Sequence, residues 1–139
     1  MSNDFDITRL PFFNTQMGKG VIDERHPKFL GCAALSAGDF VHRAVEDSDC
    51  IINVGHDVIE KPPFIMKSNG TEVIHMSFSS AAVDPVYFPQ VEVIGDIANA
   101  VWRLGKQVMP QEHWDFSRMM DIRKAGAKHE NEGIEDDRY

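Results

Sequence analysis

Residues 10–31, LPFFNTQMGKGVIDERHPKFLG, constrain the fold more than any other stretch, because an apolar run stops abruptly in a polar turn that carries two glycines. Leu10, Phe12 and Phe13 form the short run that a parallel strand needs when both its faces are covered, and Pro11 is tolerated only near a strand's start. Asn14, Thr15 and Gln16 place polar side chains where the strand stops. Gly18 and Gly20 then let backbone approach a ligand or a neighbouring loop closely. Ligands of open α/β sheets sit at the carboxyl ends of strands, so this turn is a candidate site.

The same plan recurs along the chain. A second short strand is expected over 29–33, and Asp39 is placed to cap a helix over 40–47 whose apolar face is Phe40, Val41, Ala44 and Val45. CIINVG (50–55) is an almost unbroken apolar run ending in glycine, the pattern of a central parallel strand. Pro62 and Pro63 exclude a long helix in the loop that follows, and Ser68-Asn69-Gly70 is a turn signal before the strand EVIHMSF (72–78). VEVIG (91–95) is the last strand. Asp96 is the expected N-cap of a helix with the stripe Ile97, Val101, Leu104 and Val108, and its carboxylate suits the positive end of the helix dipole. A further helix is expected over 114–127, docked by Trp114 and Met119, before an acidic tail KHENEGIEDDRY expected to be disordered. The chain thus divides into a lead-in (1–9), an α/β domain (10–109) and a helical linker with tail (110–139). Strands separated by helices and long connections predict a parallel sheet rather than a meander.

Composition narrows the function. The 139 residues match one ordinary domain, and 42% hydrophobic with 26% charged residues are the proportions of a soluble globular protein. No apolar run approaches the roughly 20 residues that span a bilayer. MSNDFDITR has no apolar core of its own, so neither a signal peptide nor an anchor is expected there, and a cytoplasmic location follows. A net charge of −8 argues against nucleic acid, whose phosphates are bound by Lys and Arg. Cys32 and Cys50 lie in apolar sequence and are expected as two buried thiols, not as a zinc site or disulfide framework. His56-Asp57 could begin a metal-dependent phosphohydrolase site, but His26, His42, His75, His113 and His129 show no ligand spacing. His75, inside a strand, is expected to be a satisfied core histidine. Ser79-Ser80 lacks a nucleophile elbow, and Lys19 lacks the rest of a phosphate loop.

QMGKGVIDERHPKFLG, IINVGHD, EVIHMSF, VEVIGDI and the WDFSRM segment together resemble the central domain of acetolactate synthase and related thiamine-diphosphate enzymes, over roughly residues 10–137. The resemblance implies a three-layer Rossmann-like α/β fold with a parallel sheet, whose usual first strand has no counterpart in residues 1–9. For the parent enzyme it implies decarboxylation of pyruvate and transfer of the two-carbon unit to a second 2-oxo acid. Thiamine diphosphate and magnesium would be held by N- and C-terminal domains that have no counterpart here, so the chain alone is expected to be inactive. Gly95-Asp96 is followed by Ile97 and does not match the family's magnesium-binding Gly-Asp-Gly motif. The expected partners are those missing domains and further copies of the chain, because a missing strand leaves open sheet edges that recruit another chain.

In flavin-binding members of the family the strand ends line a dinucleotide, FAD. By that resemblance Thr15, Gln16, Met17 and Gly18 would lie on the flavin side. Gly55 with His56 would end the next wall, and Gly95 and Asp96 would lie near the adenine. Three departures weigh against flavin. Ala33 to Ala37 replace a segment with two glycines and a histidine, His56-Asp57 replaces an Ala-Arg pair that could meet phosphate, and Ser77 replaces an acid that would take a ribose hydroxyl. The same glycines are also what any strand-to-helix turn requires. The expected role is therefore structural, with a vestigial nucleotide site, and the alternative is a free-standing nucleotide-binding or assembly module without catalysis.

Overall fold

The computed structural model describes residues 9–33, 40–55, 66, 68, 70–81 and 87–136. Among these residues five strands alternate with helices and turns: β1 (Phe12–Thr15), β2 (Phe29–Ala33), α1 (Phe40–Glu46), β3 (Cys50–Val54), β4 (Glu72–Ser77), β5 (Val91–Ile94), α2 (Ile97–Gln107) and α3 (Ser117–Asp136). Every described pairing is parallel, in two sheets ordered β1-β2 and β3-β4-β5. This is the α/β architecture that the glycine-ended apolar runs predict.

The connection from β1 to β2 holds no α-helix. A 3-10 turn at Gln16–Gly18 leads into successive hydrogen-bonded turns, His26 donating to the Asp23 carbonyl and Phe29 to that of His26. Pro27 cannot donate, which keeps this segment out of a helix. Phe12 packs against the rings of His26 and Phe29, at 5.3 and 5.6 Å between centroids, and ties the connection to the strands it joins.

Period-2 alternation sorts the larger sheet into two faces. On one face Ile51 and Val73 meet Val45 of α1, with Met66, Ala81 and Tyr87 closing the buried cluster. Phe13 of β1 and Phe88 pack against it, so both sheets contribute to one core. On the other face Ile52, Ile74 and Val91 stand side by side, followed by Val54, Met76 and Val93. α2 packs against β4, and its buried Val101 and the buried Met76 lie outside the cluster of the first face. α1 seats closely on β2: Gly31, at φ 133°, has no Cβ, and one placed there would stand 3.5 Å from Val41. The apolar face of α1 is as expected at Val41, Ala44 and Val45, all buried.

Three expectations need correction. The C-terminal helix begins at Ser117 and runs to Asp136, through most of the tail expected to be disordered. Its early turns are anchored by a 2.9 Å ion pair from Arg118 to Asp47 and a hydrogen bond from Arg123 to the Pro27 carbonyl. Once a turn is nucleated, each further residue costs little, and the tail supplies three Glu, a good helix former. Trp114 precedes this helix and is 60% exposed, so it does not dock it. Cys32 is half-buried and Cys50 exposed, because Cys50 is the first residue of its strand.

Candidate functional site

The strands β3, β4 and β5 end level with one another, and their carboxyl ends form one rim. Gly55 donates to the Met76 carbonyl at 2.8 Å and Gly95 to that of Ser77 at 3.0 Å, which sets the two glycines on either side of Ser77-Phe78. Gly55 turns at φ 71°, and a Cβ there would stand 3.6 Å from Ile97 Cδ1 at the start of α2. Phe78 projects from the rim and is 67% exposed.

A hydrogen-bond chain fixes the ground beneath that rim. Nε2 of His75 is 3.1 Å from the Ser79 carbonyl, which can only accept, so Nε2 carries the proton. Nδ1 then accepts from the Tyr87 hydroxyl at 3.0 Å, and the same hydroxyl oxygen accepts from Asn53 Nδ2 at 3.0 Å. His75 is 1% exposed and, as expected, a satisfied core histidine. The turn after β4 is held from its other side by Glu92. The Glu92 carboxylate accepts from Ser80 Oγ and, at 2.7 Å, from the Ala81 amide. These donors, the Ala81 amide first, hold the Glu92 carboxyl below its usual range.

The remaining sequence-predicted site residues stand elsewhere or outside the described residues. Thr15, Gln16, Met17 and Gly18 form the turn at the end of β1, in the other sheet, with Met17 largely exposed. Asn14 anchors that turn by donating from Nδ2 to Glu24 at 2.9 Å, while its Oδ1 is buried without a partner. His56 and Asp57, and Ala34 to Ala37, lie outside the described residues. The structure therefore brings Gly55, Gly95 and Asp96 to one rim and sets 15–18 on a different sheet.

Among the described residues, the rim offers a dinucleotide's phosphates no side-chain cation. Residues 50–55, 75–81 and 91–96 contain no Lys or Arg, and their two acids are Glu92 and Asp96. Asp96 caps α2, its Oδ1 accepting from the Asn99 amide at 2.7 Å. The helix end that would otherwise offer free amides to a phosphate thus already holds a carboxylate, which repels a second anion. No cluster of three or more His, Cys, Asp or Glu able to hold a metal occurs among the described residues. Sequence reasoning missed Tyr87, Asn53 and Glu92. The available signal was a single polar residue inside each otherwise apolar strand, at Asn53 and Glu92.

Comparison with known proteins identifies the family. Residues 5–104 match the family described as thiamine pyrophosphate enzyme, central domain. The chain belongs to that family. It is 28% identical over 95 residues, 67% of its length, to acetolactate synthase of Bacillus subtilis, and 28% identical over 98 residues to the acetolactate synthase large subunit of Pyropia yezoensis. It is also 50% identical over 52 residues, 36% of its length, to pyruvate decarboxylase of Kluyveromyces marxianus. The matches span only 9% of that decarboxylase and 17% of each synthase. The central-domain membership accounts for the parallel strands with glycine turns at their carboxyl ends. No helix among the described residues is long and apolar enough to cross a membrane.

Proposed function

We propose that this chain is the central layer of an acetolactate synthase-type enzyme, which in the whole protein joins a two-carbon unit from pyruvate to a 2-oxo acid on the path to branched-chain amino acids. Its role is to hold the flanking domains that carry thiamine diphosphate and magnesium, in the cytoplasm, while its own strand ends keep only the outline of a nucleotide site. The breadth of the match supports the synthase reading. The likeness to the synthases runs over 67% and 69% of the chain, whereas that to the decarboxylase stops at 36%. The absence of basic residues at the rim and the capping of α2 by Asp96 support a layer without flavin.

A graft tests this. Residues 10–109 replace the matching segment of an acetolactate synthase and, in parallel, of a pyruvate decarboxylase. The expected result is a folded, colourless synthase that makes acetolactate when given pyruvate, thiamine diphosphate and magnesium. Activity only in the decarboxylase graft would favour the second reading, which rests on the 50% local identity. Acetolactate formed by the 139-residue chain alone, or tight nucleotide binding by it, would overturn the structural role.

A further inference from the structure

A cleft of about 250 Å³ opens at the amino ends of β1 and β2, away from the turn that closes β1. Parallel pairing puts it there. Arg9 comes just before β1 and Lys28 directly before β2, and Phe12 donates to the Lys28 carbonyl at 3.1 Å. The opposite wall is the segment ahead of α3, with Glu112, Trp114 and Asp115. Two side-chain bonds fix that wall, Gln111 Oε1 accepting from the Trp114 amide and Asp115 Oδ1 from the Ser117 amide, each at 2.9 Å. Arg123 of α3, on the Pro27 carbonyl beside Lys28, holds the wall to the sheet.

Charge and backbone single this cleft out. Among the described residues neither Arg9 nor Lys28 has an ion-pair partner, in a chain whose net charge is −8. Alone among the described non-glycine residues, Arg9 sits at a positive φ, 56°, a strained conformation of the kind that collects at ligand clamps. Asp115 is committed to the Ser117 amide, so the two cations face one uncommitted carboxylate, Glu112. Trp114 is 60% exposed and meets Phe116 edge to face, which leaves part of the indole open to a ligand. We propose that the cleft binds a small organic monoanion with a flat apolar body, an aromatic carboxylate in chemical class, its charge between Arg9 and Lys28 and its ring on Trp114. A guanidinium can fork two parallel N–H donors onto a carboxylate, and Lys28 adds a point charge. The volume lies below the roughly 300–1,000 Å³ of drug-sized sites, which limits the ligand to one or two rings.

Titration of the 139-residue chain with 2-naphthoate, followed by the indole N–H resonances, is the test. The expected result is a saturable shift of Trp114, with Trp102 on α2 unmoved, at a dissociation constant of roughly 0.1–1 mM for so few atoms. The neutral analogue 2-naphthalenemethanol is expected to bind at least about tenfold more weakly, and Arg9→Gln and Lys28→Gln are each expected to weaken naphthoate by a similar factor, because a charge-assisted hydrogen bond is lost. Glu112→Gln should tighten it, since a like charge leaves the cleft. Circular dichroism checks that the variants fold, and should one unfold, the neutral analogue decides. A Trp114 resonance unmoved up to about 10 mM naphthoate overturns the proposal, that being well above the expected range. So does binding that the alcohol equals, that neither Arg9→Gln nor Lys28→Gln weakens, or that Glu112→Gln weakens.

Discussion

Tyr87 donates its hydroxyl hydrogen to Nδ1 of His75 across 3.0 Å, with the two rings edge to face at 5.8 Å between centroids. One side chain from the β4–β5 connection thereby orients a buried imidazole and also takes the Asn53 amide of β3. Removing that hydroxyl leaves the buried His75 Nδ1 and the half-buried Asn53 amide without their partner. Tyr87→Phe is expected to cost about 1–3 kcal/mol, the penalty of orphaned buried polar groups. It should appear as a lower urea midpoint with an unchanged slope.

Glu92 predicts an acid sensitivity. Its folded-state carboxyl lies below the ordinary value of 4.5, because the Ala81 amide and the Ser80 hydroxyl bond the ionised form. A depressed carboxylate contributes stability that is present above its unfolded pKa and is lost as pH falls through the folded one. Urea midpoints should therefore fall as pH drops from 5 through 4.5 and below, and Glu92→Gln should flatten part of that fall. Identical pH profiles for the two proteins would refute the assignment.

Gly55 predicts a steric cost. Its φ of 71° is one that a residue with a Cβ adopts only under strain, and the new methyl would also touch Ile97 Cδ1. Gly55→Ala should destabilise by about 1–2 kcal/mol, read as a shift in thermal midpoint. Gly20, at φ 82° with nothing within 4 Å, should show a loss of similar size, since the 3.6 Å contact at Gly55 is ordinary packing.

Flavin binding is the fourth test. With Asp96 capping α2 and no Lys or Arg among the described residues of the rim, flavin dinucleotide added to the purified chain should keep its free fluorescence. A yellow preparation that keeps its colour through gel filtration would show that the rim accepts phosphate despite the carboxylate.

The strands and the α2 cap were legible because their signals are local. Apolar runs closed by Gly55 and Gly95, and an Asp96 placed ahead of a 4-3-4 stripe, carry their meaning within a few residues. The tail helix was not legible, since its anchors reach across the chain, from Arg123 to a carbonyl 96 residues away. Cys50 read as buried from its apolar neighbours, yet it opens a strand. Partial desolvation, then Glu72 and Asp49, push its thiol pKa up. At the site, sequence resemblance pointed to the glycines, which shape the rim. What holds the rim, Tyr87 on His75 and Glu92 on Ser80, joins residues 12 apart through a connection of no regular pattern.

Among the described residues, β4 is the strand flanked on both sides, by β3 and β5, while β1 and β2 form a ladder of their own. Hydrogen exchange should therefore divide the chain in time. The amides of Ile74 and Met76 should exchange only when the whole domain opens, whereas the ladder of only two strands should breathe by itself at a lower free energy. The molecule would then unfold in two cooperative units that share one core through Phe13, and that ring is the place where their coupling can be measured.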